Sequence, residues 1–206
     1  MFRKMAIQCS LLMSLLAVPP LVNAQSVTAK NIGETQVYTA VLALMKFPKD
    51  QPHILISSAT LNSGCGEKSG NPVLMNNCGI FAPPTTAEDL ESLLKQQGMP
   101  TLSAATWLSF NHENARSETL SDSFKTPWPH VVAGISSSST NPWKSIDGAI
   151  FLSRVGFSTD RTQAIVYVLF FSYMSGVPTS GNFFQFHLDG GRAWQPVGRV
   201  TLMQTQ

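Results

Sequence analysis

The sequence predicts an α+β fold, N-terminal helices packed on a C-terminal antiparallel β-meander, and three observations carry that expectation. Apolar residues in the first half recur at helical spacing. In the second half they alternate, or run unbroken, over strand lengths. The strand-like runs are joined by short turns, which suit antiparallel neighbours. The 206 residues include 14 Lys+Arg against 12 Asp+Glu, 13% charged and 43% apolar. That composition is a folded globule's, and the near-even charge offers no basic surface for nucleic acid.

Arg3 and Lys4 precede an apolar stretch densest over 11–18, followed by Pro19-Pro20 and the small-residue exit Val22-Asn23-Ala24. These are the parts of a secretory signal peptide. The apolar run is shorter than the roughly 20 residues of a membrane span, and the two prolines would break a helix there. The expected organisation is a signal peptide over 1–24 and one α+β domain over 25–206, periplasmic or secreted, with no membrane span after cleavage. Cleavage would remove Arg3, Lys4 and Cys9, leaving 12 basic and 12 acidic residues.

Cys65 and Cys78 then stand alone in a chain bound for an oxidising compartment, which predicts a disulfide between them. The segment they enclose is rich in Gly66, Gly70 and Asn71-Pro72 and poor in apolar periodicity, so a crosslink would be its main constraint. Closing a loop of that length is worth about 3 kcal/mol. Two lone cysteines lack the second pair of ligands that a structural zinc site needs.

Val37, Val41, Leu44 and Met45 predict a first helix over 31–46, with Asn31 and Glu34 as a capping-box-like start and Pro48 after its end. His53–Ser58 is short and rich in isoleucine, which favours a strand. Leu90, Leu93 and Leu94 form one stripe over 87–97, closed by Gly98 and Pro100. A third helix fits 103–114, capped by Ser103, with Trp107, Leu108 and Phe110 as its apolar side. All these helices are expected on one face of the sheet.

The second half predicts a strand over 128–135, a polar loop over 136–141, one long strand over 149–157 and, after a five-residue turn, a strand over 163–171. That last strand is apolar on both faces and therefore central. Strands over 182–188 and 194–202 follow, joined at Asp189-Gly190-Gly191.

The run Leu152-Ser153-Arg154-Val155-Gly156-Phe157, a polar turn, then Thr162-Gln163-Ala164-Ile165-Val166-Tyr167-Val168 resembles the signature of a group of small exported bacterial proteins with no assigned activity. Gly181, Phe183-Phe184 and Gly191-Arg192-Ala193-Trp194 occupy comparable places, with one extra residue before the tryptophan. Phe170-Phe171-Ser172-Tyr173-Met174 replaces the more polar or glycine-rich stretch of that group. The resemblance implies the fold and an exported location; it supplies no catalytic residues.

Motifs of chemistry are missing: no Gly-x-Ser-x-Gly, no His-Glu-x-x-His, no phosphate-binding glycine loop and no EF-hand loop occurs. Ser92-Leu93-Leu94-Lys95 matches Ser-x-x-Lys by chance, since its companion elements are lacking. His53, His112, His130 and His187 are scattered, and neither a metal nor a cofactor is implied. Arg154 is the most informative polar residue, because a strand-borne guanidinium beside Ile150 and Leu152 needs a carboxylate or a sheet edge. Asp147, Asp160 and Asp189 are candidate partners. The structural alternative is a buried ion pair; the functional one is an anion-binding pocket built from Arg154, Tyr167 and His187. Trp128, Trp143 and Trp194 read as core fillers.

The functional expectation is an exported, non-catalytic protein that binds another exported protein or a small ligand. The alternative is a hydrolase pairing one of the hydroxyls of Ser136–Ser139 with His130 or His187.

Overall fold

Residues Ala164–Leu169 are all buried, on alternating sides of one strand, and the molecule is arranged around them. The computed structural model of the protein describes residues 22–47, 54–61, 87–134, 148–172, 177–190 and 192–204. In chain order these form α1 (Val22–Ala43), β1 (Ile54–Ser57), α2 (Ala87–Gln96), α3 (Ala104–Glu113), β2 (His130–Ala133), β3 (Gly148–Leu152), β4 (Gly156–Phe157), β5 (Gln163–Ser172), β6 (Val177–Asp189) and β7 (Ala193–Gln204). Cys65, Cys78, His53, Trp143, residues 1–21 and the loop over 136–141 lie outside the described residues.

The strands form one sheet in the order β2-β1-β3-β5-β6-β7, with β4 pairing β5 just beyond β3. From β3 onward every neighbour is antiparallel, as expected. β1, however, lies parallel to both β2 and β3, with Ile54 opposite His130 and Leu55 opposite Ala149. The class is α+β, but the sheet is mixed and not a pure meander. The reason lies in the connection: α2 and α3 fall between β1 and β2, and a long link of this kind lets a strand return parallel.

The helices cover both faces of the sheet, not one. Val37, Tyr38, Val41 and Leu42 of α1 pack with Ile56, Ile150, Leu152, Val166 and Val168. On the opposite face, Leu94 of α2 and Trp107 and Phe110 of α3 pack with Leu55, Phe151, Ile165 and Leu169. A central strand that is apolar on both sides leaves no other arrangement, since each exposed Val, Ile or Leu would forfeit about 1.5–3 kcal/mol. Strand-borne tryptophans serve this packing too: Trp194 is buried beside Phe157, ring centroids 5.6 Å apart, on the α1 face.

Several boundaries differ from the periodicity. α1 starts at Val22, so Asn31 lies inside the helix and not at its start. α2 and α3 match within a residue or so, and the cap of α3 is as expected: the Thr106 amide donates to Ser103 Oγ at 3.1 Å. β6 and β7 run longer than their apolar cores because they form a continuous hairpin, turned at Gly190 with φ +50°.

The long strand expected over 149–157 is two strands. Leu152 faces Val168 and Gly156 faces Ile165, so three residues, Ser153–Val155, occupy the interval that Val166 and Tyr167 span on β5. That extra residue is a bulge, and it inverts the facing of everything after it. Ile150 and Leu152 share the α1 layer with Val155 and Phe157, although strict alternation would place the latter pair on the other side. Gly156 thereby faces α3 so closely that a Cβ would lie 2.5 Å from Phe110 Cβ and 2.6 Å from its amide nitrogen.

Candidate functional site

The bulge leaves three peptide groups outside the regular ladder, and each finds a substitute partner. Tyr167 N donates to Ser153 Oγ at 2.8 Å, while the Ser153 carbonyl turns to accept from the Tyr38 hydroxyl at 2.9 Å. Asn114, the C-cap of α3, imitates a neighbouring strand: Arg154 N donates to its Oδ1 at 2.7 Å and its Nδ2 donates to the Arg154 carbonyl at 3.0 Å. Val155 N donates to Glu34 Oε1 at 3.0 Å.

The Arg154 side chain reaches α1 and meets Glu34 in a two-pronged pair, Nε to Oε1 at 2.7 Å and Nη2 to Oε2 at 3.0 Å. Its Nη1 donates to Glu118, and Glu113 Oε2 lies 3.7 Å from Nη2. The partners are therefore Glu34, Glu118 and Glu113, and not Asp147, Asp160 or Asp189. Asp147 lies outside the described residues. Asp160 is engaged by its own turn, accepting from Ser158 Oγ at 2.6 Å and from Thr162 N at 3.1 Å. Those bonds to Ser158 and Thr162 hold the Asp160 carboxyl below its ordinary value.

Burial works against the Arg154 charge, but the hydrogen bonds and negative charge of Glu34, followed by Glu118, outweigh it and raise its pKa above the ordinary value. The Tyr38 hydroxyl, 3.1 Å from Glu34 Oε1, is pushed well above its usual range by burial and then by the Glu34 charge. These groups line a small cavity of about 240 Å³ with Thr35, Ser121 and Ser123. With a guanidinium gripped by carboxylates on three of its nitrogens, this cavity has nothing left with which to attract an anion.

The three residues expected to share a binding pocket are not brought together. Arg154 points into the α1 layer. Tyr167 is packed in the opposite layer, its ring 4.9 Å from Phe183 and its hydroxyl over Gly181, where a Cβ would lie 2.0 Å away. Burial raises the Tyr167 pKa to about 12. His187 is exposed on β6 opposite Gln163.

His130 is more structured than its position suggested. Its Nε2 lies 3.0 Å from Asp122 Oδ1 and its Nδ1 2.9 Å from Thr126 Oγ1, so both ring nitrogens are engaged. His112 is exposed on α3, near Glu113. Among the described residues no group of three or more His, Cys, Asp or Glu is placed to hold a metal.

A larger concavity opens where α1 ends. Leu44–Phe47 wall one side and Phe170, Phe184 and Val197 another, enclosing an open groove of about 850 Å³. The charged side chains among its described lining are Lys46 and Arg199. The Arg199 guanidinium stands 6.0 Å from the Phe184 ring centroid. Sequence reasoning missed this groove because its walls come from four separated segments. It missed Glu34 for a different reason. Glu34 lies three residues before Val37 and seven before Val41, on the apolar stripe itself, and a carboxylate there signals a buried cation as well as a cap.

No protein-family model matches the chain, and no curated protein or solved structure matches it. The fold and the site geometry therefore carry the functional argument.

Proposed function

We propose that this chain is an exported, non-catalytic binding protein whose ligand surface is the groove at the end of α1. The groove is the observation that carries this. Its volume falls in the range of about 300–1,000 Å³ usual for small-molecule sites, and its described lining pairs aromatic walls with two cations and holds neither imidazole nor carboxylate. Such a lining suits retention of a ligand, with Lys46 as its one titratable side chain among the described residues. Arg154, by contrast, ties the bulge to α1 and α3. Tyr167 and His187 lie elsewhere and are not assigned to the groove.

Export rests on the sequence of residues 1–24, and cleavage after Ala24 would spare the part of α1 that bears Glu34, Val37 and Val41. Among the described residues no helix is long and apolar enough to cross a membrane. The hydrolase alternative draws on the Asp122–His130 pair, but Thr126 already occupies the other ring nitrogen.

The test is to purify the protein from its native envelope, weigh it intact under native conditions and screen it against ester and peptide substrates. A mass beginning at Gln25 with a co-purified small ligand is expected. Turnover that follows the protein through purification overturns the non-catalytic reading.

A further inference from the structure

Building on that reading, we infer that the groove takes a carboxylate with a hydrocarbon chain, its tail along Phe47, Phe170 and Phe184 and its head held by Lys46 and Arg199. Three features of the lining point to this chemistry. First, the groove concentrates exposed apolar surface. Of the four large apolar side chains exposed by more than a third among the described residues, two, Leu44 at 43% and Val197 at 38%, flank it. Singly exposed apolar residues are ordinary, but these two rim the same concave surface that Phe47, Phe170 and Phe184 line.

Second, the charge is one-sided. Lys46 and Arg199 have no carboxylate partner among the described residues, and no acidic side chain appears in the groove's described lining. Among the described residues Arg199 reaches the Thr201 hydroxyl, at 3.4 Å, and the face of Phe184. An incoming anion therefore displaces no ion pair among the described residues, in contrast to the saturated guanidinium of Arg154.

Third, the neutral polar groups are too few to serve a peptide backbone. Ser180 and Asn182 line the groove, and Asn182 Oδ1 already accepts from Thr201 at 2.8 Å. The edge strand β7 runs along one wall, but Pro196 there has no N–H to offer, so a hydrocarbon chain suits the aromatic walls better than a peptide, which the comparison tetrapeptide tests directly.

The experiment titrates decanoate, below its micellar concentration, into delipidated full-length mature protein by calorimetry, with decanol, acetate and an acidic aromatic tetrapeptide as comparison probes. Saturable binding of one decanoate per chain is expected, with decanol and acetate each weaker by about tenfold or more for want of head or tail. Arg199→Gln and Lys46→Gln should each weaken decanoate binding by about tenfold, and Val197→Glu should do the same by placing a like charge at the rim. All three positions are exposed, so melting temperatures should hold. No saturable decanoate binding, equal affinity for decanol, indifference to all three variants, or tighter binding of the tetrapeptide would each overturn the inference. A native ligand co-purified with the protein but unaffected by the three variants would refute this site while leaving the exported binding protein intact.

Discussion

Glu34 and Arg154 lie 120 positions apart in the chain, yet the carboxylate takes both Nε and Nη2 of the guanidinium, at 2.7 and 3.0 Å. The pair joins the first helix to the bulge at 153–155, and both side chains are less than a tenth exposed. Removing Arg154 leaves the buried Glu34 carboxylate without its cation, and neutralising Glu34 takes the two-pronged partner from a buried guanidinium that then keeps Glu118 and Glu113. Glu34→Gln and Arg154→Leu should each cost about 3–5 kcal/mol, whereas the double variant Glu34→Leu/Arg154→Leu should cost less than the sum of the two. Urea unfolding checks this, and an unchanged midpoint for either single variant would contradict it.

The buried position of Val166, on the α1 face of β5, makes a second prediction. Val166→Asp places a carboxylate in an apolar layer and should unfold a domain of ordinary stability, by several kcal/mol. Circular dichroism and a melting curve suffice; a native melting temperature would show that the strand is not central.

Two glycines make contrasting cases. At Gly156 an added methyl meets the Phe110 backbone, which cannot move without shifting α3, so Gly156→Ala should cost about 1–3 kcal/mol or more. At Gly181 the first obstacle is the far end of a side chain, the Tyr167 hydroxyl at 2.0 Å. Tyr167→Phe should therefore recover part of the loss caused by Gly181→Ala, and a double-mutant cycle with no coupling would be the contrary result.

Stability should also fall in alkali. Tyr38 and Tyr167 hold their protons more tightly in the folded chain than at the ordinary value of 10.0, Tyr167 up to about 12. Above pH 10 the unfolded chain releases protons that the folded chain retains, so the stabilisation present below pH 10 is lost as pH rises toward 12. Denaturant midpoints between pH 9 and 12, measured for the parent and for Tyr167→Phe, test this directly. The variant should show a shallower decline.

Cys65 and Cys78 lie outside the described residues, and their pairing is a proposal that rests on the proposed export and cleavage, which would leave them the chain's two cysteines. Intact mass of the exported protein should rise by about two protons' worth on reduction, the signature of one opened disulfide. Two free thiols before reduction would be the opposite outcome.

Individual elements were legible in the sequence, for local reasons, whereas the division of the helices between the two faces of the sheet was not. Ala164–Leu169 announced a two-faced strand by composition alone, and Ser103 announced a helix start by its chemistry. The Arg154 cluster was not legible from its own neighbourhood, because its partners come from α1, from Glu113 at the end of α3 and from Glu118 beyond it. Local periodicity sees none of those distances. It also misread Glu34, whose spacing from Asn31 mimics a capping box. The parallel pairing of β1 was hidden likewise, since strand direction depends on how the intervening helices return the chain.

The extra residue among Ser153–Val155 works like a change of reading frame written into the backbone. Upstream, even-numbered residues such as Ile150 and Leu152 address α1; downstream, odd-numbered Val155 and Phe157 do. A one-residue deletion at this point would close the ladder into plain alternation, with Gly156 still opposite Ile165 and Phe157 still opposite Ala164 in the α1 layer. What the extra peptide unit supplies is therefore a handle and not a facing: it turns the Arg154 and Val155 backbone out to Asn114 and Glu34, so that one strand is held from both of its faces at once.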